Sequence, residues 1–104
     1  MIEKEYKLSK TNEKAVEKVV FDDNLHYLHM VFNQSEGLPE HFSNSNVYMT
    51  VIRGKLSIEL DDQEVHVYEA STLLVIPINT KMNVKNLHLE TLELIIVKAP
   101  APNN

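Results

Sequence analysis

From Val47 to Leu60 the chain spells out two strands and the turn that joins them. Val47-Tyr48-Met49-Thr50-Val51-Ile52-Arg53 is an almost unbroken apolar run, of the length and β-branched content of a buried strand. Gly54 ends it, because glycine takes the backbone conformations that a tight hairpin demands. Lys55-Leu56-Ser57-Ile58-Glu59-Leu60 then alternates strictly. The spacing predicts Leu56, Ile58 and Leu60 facing in and Lys55, Ser57 and Glu59 facing out. No stretch shows a helical period of more than two turns, so helix-on-helix architectures are excluded.

The same grammar repeats along the chain. Glu5 to Leu8 is expected as a short edge strand, and Val16 to Phe21 as a strand with a helical turn as the alternative. Asp22-Asp23-Asn24 is a turn signal. Leu25 to Phe32 is a full strand with both faces largely apolar. Glu64 to Tyr68, Thr72 to Ile76, Lys81 to Lys85 and Thr91 to Ala99 follow, separated by turn residues. Pro77 and Pro100 mark breaks, since proline cannot donate to a central ladder. Many short strands at even spacing predict an all-β antiparallel barrel or sandwich.

At 104 residues the chain makes one domain. Its expected parts are an N-terminal arm or edge strand over 1–15, a barrel over 16–100 and a frayed tail over 101–104. A net charge of −5 argues against nucleic-acid partners, because phosphate contacts need a basic surface. There is no cysteine, which removes disulfides, a thiol nucleophile and a Cys-ligated zinc site. No apolar run approaches a membrane span and none near Met1 reads as a signal, so no membrane partner is expected and the cytoplasm is the default compartment.

The frame from Gly37 to Gly54 resembles the first motif of the cupin family, small barrels of the jelly-roll type. That motif has a glycine, His-x-His, a glutamate and a second glycine. His41 stands at the first histidine, Ser43 at the second and Val47 at the glutamate. The second motif is matched by Ser71, Pro77, Asn79, Met82 and Asn86, with Met82 at the metal-binding histidine. Asn79 stands where the motif has a glycine, and asparagine tolerates the left-handed backbone conformation. The resemblance covers Val16 to Pro100. It implies an antiparallel double-stranded β-helix, or jelly-roll barrel, of the small single-domain, RmlC-like type with degenerate metal motifs.

The family's residues hold a divalent metal in the barrel. Such an ion needs three or four donors converging at about 2.0–2.3 Å. Of the inherited positions only His41 offers an imidazole, and the thioether of Met82 suits soft copper rather than a hard ion. His26 or His29 is the candidate second ligand. Their spacing places them on opposite faces of a strand, so only one can face inward. No metal cofactor is therefore expected, with a divalent metal on His41 as the alternative.

Three functional readings follow, and none assigns a catalytic residue. In the first, the barrel binds a small polar or carboxylate-bearing metabolite. Its wall is drawn from Met30, Phe32, Tyr48, Val51, Leu74 and Ile76. His41, Ser43 and Asn44 sit at the rim, with Val47 and Met82 at the inherited metal positions. In the second, the chain is a divalent-metal enzyme of the dioxygenase or isomerase type using His41 and a substitute ligand. In the third, it is a structural or interaction module. Against these stand plainer roles. His41 can be a loop histidine bound to backbone carbonyls, Met30, Met49 and Met82 can be core filler, and His66 and His88 can be solvent residues. The two apolar faces of Leu25 to Val31 predict a homodimer.

Overall fold

A computed structural model describes residues 1–103. Nine strands occur among them: β1 (Ala15–Phe21), β2 (His26–Phe32), β3 (His41–Phe42), β4 (Val47–Arg53), β5 (Lys55–Leu60), β6 (His66–Glu69), β7 (Leu73–Ile76), β8 (Lys81–Lys85) and β9 (Leu92–Lys98). They form a five-stranded sheet in the order β1-β2-β9-β4-β7 and a four-stranded sheet in the order β3-β8-β5-β6. Every pairing is antiparallel. The described residues contain no helix long and apolar enough to cross a membrane.

Alternation within each strand builds the core. Leu28, Met30 and Phe32 of β2, Met49 and Val51 of β4, Leu56 and Ile58 of β5, and Leu92, Leu94 and Ile96 of β9 turn into one buried cluster between the sheets. Removing this apolar surface from water supplies the driving force for closing the sandwich. Ser57 departs from the expected alternation. It is buried although it belongs to the outward row of β5. The side chain is small, and its cross-strand neighbours are the longer Val67 and Lys85.

Two glycines are required where they stand. Gly54 sits at φ +78° in the β4–β5 hairpin, and a Cβ there would lie 2.3 Å from the Thr91 carbonyl oxygen. Gly37 bridges to Lys85 so closely that a Cβ would meet the Val84 carbonyl oxygen at 2.2 Å. Asn79 and Ser71 take left-handed backbone angles of φ 68° and 70°. These are the two positions where the resemblance substitutes them for glycine.

Three expectations are corrected. Glu5–Leu8 forms no strand. The arm is instead fixed at its root by side chains: Ser9 N–H donates to Glu17, Arg53 donates to the Thr11 carbonyl and the Asn12 side chain, and Asn33 donates to the Asn12 carbonyl. His41 and Phe42, which fall outside every strand expected from the sequence, form a two-residue strand on β8. The tail is tied down at Ala101, whose N–H donates to the Asn24 carbonyl at 3.1 Å. Asn104, the end of the expected frayed tail, lies outside the described residues.

Candidate functional site

A cavity of about 260 Å³ opens between the sheets at the end marked by the His41 strand. Leu28 and Met30 come to it from β2, His41 from β3, Val47 and Met49 from β4, Met82 from β8, and Ile96 and Lys98 from β9, with Leu38 and Pro39 closing the rim. Period-two geometry explains the set, since each contributing strand sends alternate residues inward.

His41 lies directly across the β3–β8 pair from Met82. Its Nδ1 is 2.8 Å from the Pro39 carbonyl oxygen. A carbonyl can only accept, so Nδ1 carries a proton and Nε2 is the ring nitrogen that this contact leaves free. Lys98 is the last residue in the inward row Leu92, Leu94, Ile96, Lys98. Its Nζ donates to the Asn44 side-chain oxygen at 3.3 Å. The three ion pairs among the described residues leave Lys98 without a carboxylate partner. Burial against the apolar wall pushes its pKa below the ordinary 10.5, because the ammonium loses hydration there.

The other candidates fall elsewhere. Ser43 Oγ donates to the Pro77 carbonyl and accepts from the Thr80 N–H, so both capacities serve the loop that follows β7. Asn44 stands at the rim beside Lys98. Phe32, Val51, Leu74 and Ile76 belong to the packed core or its margin rather than the cavity wall. Tyr48 is not a wall residue: it lies on the outer face of β4, paired with Val75 and Val97, because its neighbours Val47 and Met49 take the inner one. Lys98 was missed as a site residue, although the row that ends in it is visible in the sequence.

Neither proposed second ligand reaches His41. His26 stacks on Phe21, with ring centroids 3.6 Å apart. His29 is fully buried on the opposite face of β2 from Leu28 and Met30. There its Nδ1 lies 2.5 Å from Glu17 Oε1 and its Nε2 lies 2.5 Å from Glu93 Oε2. Both carboxylates accept, so both nitrogens carry protons and the ring is an imidazolium. Glu93 also accepts from Arg53 Nε at 2.9 Å. Burial pulls the His29 pKa down, but the hydrogen bonds and charges of Glu17 and Glu93 outweigh it, and the net shift is upward from 6.5. Hydrogen bonding to His29 draws the pKa of Glu17 below 4.5.

These positions decide the fit of a metal. Around the cavity stand one imidazole nitrogen, one ammonium and three thioethers, and the hydroxyl of Ser43 is engaged elsewhere. The described residues hold no group of three or more His, Cys, Asp or Glu side chains placed to bind an ion. The donor set does not fit the hard divalent ion that the motif resemblance implies.

No family model matches the sequence. The chain is 38% identical over 103 residues to the uncharacterized protein MJ0764 of Methanocaldococcus jannaschii, covering 98% of this chain and 89% of that protein. The crystal structure of MJ0764, described as an RmlC-like cupin family protein with a double-stranded β-helix fold, superposes with a TM-score of 0.95 over 98% of this chain and 94% of that one. An RmlC-like cupin protein from Desulfovibrio desulfuricans gives a TM-score of 0.78 at 21% identity, covering 94% and 97% of the two chains. A cupin superfamily protein from Desulfitobacterium hafniense gives 0.75 at 13% identity, covering 88% and 82%. The last two are likenesses of fold.

Proposed function

The chain belongs to the RmlC-like cupin family, and we propose that its barrel is a binding module that takes up a small molecule without a hard-metal centre. One observation carries this reading: a cavity of about 260 Å³ has apolar walls and only His41 and Lys98 as polar heads. Ligand sites combine this kind of apolar concavity with a few placed polar groups. The volume lies just under the roughly 300–1,000 Å³ of sites for drug-sized ligands. It exceeds the roughly 150 Å³ cavity that accepts benzene in an engineered core. A ligand of intermediate size is favoured, with an apolar body and one polar end.

Metal analysis of the purified protein, joined to native mass spectrometry, tests the proposal. The expected result is protein without stoichiometric iron, manganese, nickel or zinc, and a His41→Ala variant of unchanged stability. Stoichiometric metal that is lost in His41→Ala while the fold persists would favour the competing reading, a metal-dependent enzyme. Stoichiometric copper would point instead to the thioethers of Met30, Met49 and Met82 beside His41.

A further inference from the structure

We infer that the cavity is a receptor for a small monoanion, with Lys98 taking the ligand's carboxylate and the wall around Leu28, Met30 and Met82 taking its apolar body. The inference rests on the reading of the barrel as a binding site and names the ligand's chemistry. Three observations lead to it. Lys98 ends the inward row of β9 and lines the cavity, and its Nζ reaches the Asn44 side chain. Its one hydrogen-bond acceptor among the described residues is the neutral Asn44 amide oxygen, at 3.3 Å. No Asp or Glu lies among the ten residues that line the cavity. A cation that is partly stripped of water and left without a counter-charge gains most from an anionic ligand.

The rest of the lining sets the charge and size of that anion. The Nδ1–H of His41 is committed to the Pro39 carbonyl, which leaves Nε2 as the ring atom free to face a ligand. Apart from Lys98 and His41 no basic residue lines the space. One cation suits a carboxylate monoanion rather than a phosphate dianion, which would need several donors. The apolar walls favour a carboxylate carried on a short alkyl or aromatic body. Desolvation, which pushes the Lys98 pKa down, is the cost that such a ligand would relieve.

A plain alternative is that Lys98 covers apolar surface with its stem and holds its head in water. The two are separated with hexanoate and hexan-1-ol, which share an alkyl body and differ in charge. Binding is read from the methyl signals of Met30, Met49 and Met82 in isotope-labelled protein. We expect hexanoate to bind at least tenfold more tightly than hexan-1-ol, and the preference to vanish in Lys98→Met. Lys98→Gln guards against a methionine side chain that fills the cavity, and should abolish the preference in the same way. Equal binding of the two probes, or a preference that survives in both variants, overturns the assignment to Lys98 while the binding-site reading stands. If neither probe moves the methionine methyls, both fall.

Discussion

Raising the pH should weaken this protein through one buried histidine. His29 donates from both ring nitrogens, to Glu17 on β1 and to Glu93 on β9, and Arg53 of β4 holds the other oxygen of Glu93. The cluster thus joins four adjacent strands of the larger sheet through two positive and two negative charges. The pKa of His29 is raised above its ordinary 6.5 by the carboxylates, which outweigh the opposing effect of burial. Between the unfolded value and the raised one, the folded protein holds one proton more than the unfolded chain. Stability is then fully present below about pH 6.5 and falls as pH climbs toward the folded pKa. The slope for one proton is about 1.4 kcal/mol per pH unit. In a domain near 100 residues that corresponds to about 6–11 °C in Tm per unit, at about 4–8 °C per kcal/mol. Thermal unfolding at half-unit steps from pH 6 to 9 measures it, and a histidine-ring titration by NMR assigns it. His29→Gln should cost about 3 kcal/mol near neutrality, because it removes one partner from a buried charge cluster, and should flatten the slope. His66→Gln, at an exposed ring, should leave the slope intact. A wild-type Tm that is flat or rising over this range, or a slope that persists in His29→Gln, would refute the reasoning.

On the acid side the same cluster should fail in the opposite sense. The depressed pKa of Glu17 contributes stability that is present above about 4.5 and lost as pH falls further, so Glu17→Gln should blunt the acid limb of the unfolding curve. Gly54→Ala should cost at least about 1–2 kcal/mol in denaturant unfolding, because it adds a Cβ at positive φ against the Thr91 carbonyl. A second copy is the expected occupant of the outer face where Tyr48, Leu73 and Val75 lie exposed beside the free edge of β7, an uncharged patch suited to an isologous contact. Light scattering at micromolar concentration should give about twice the 12.0 kDa chain mass, and Val75→Lys should halve it; a wild-type monomer sinks the idea. Installing Val47→Glu with Met82→His beside His41 should create three donors, and zinc should raise the Tm of that variant but not of the wild type.

The fold was legible because its signals are local. The alternation of Lys55–Leu60, the Gly54 turn and the proline breaks each constrain their own few residues, and the strands found there start and end within two residues of expectation. Asn79 at φ 68° shows the same locality, since its tolerance of that backbone region is a property of the side chain itself. β3 was not legible. Two residues carry no period, and the strand exists only because β8 is present to pair with His41 and Phe42.

The site was harder to read because its chemistry depends on which face a residue takes and on partners far away in the chain. Parity alone shows that His26 and His29 diverge. It cannot show that β2 commits Leu28 and Met30 to the lumen, which sends His29 to the other side of the sheet. There His29 meets Glu93, 64 residues away, and becomes a structural imidazolium rather than a ligand. Ser43 follows the same rule: its hydroxyl is claimed by Pro77 and Thr80, more than thirty residues on, and so is lost to the cavity. Lys98 is the opposite case. Its inward row could be counted in the sequence, but a lysine ending a strand looks like any solvated charge until the neighbouring strands bring no carboxylate to it. Relative to the family frame, charge has therefore moved within this barrel. The inherited glutamate position is a valine, the imidazolium lies on the outer sheet face with two carboxylates, and the mouth keeps a lysine with no carboxylate partner among the described residues. The same substitutions that remove the hard-metal donors leave a lysine at the mouth, which is the arrangement that the proposed carboxylate ligand requires.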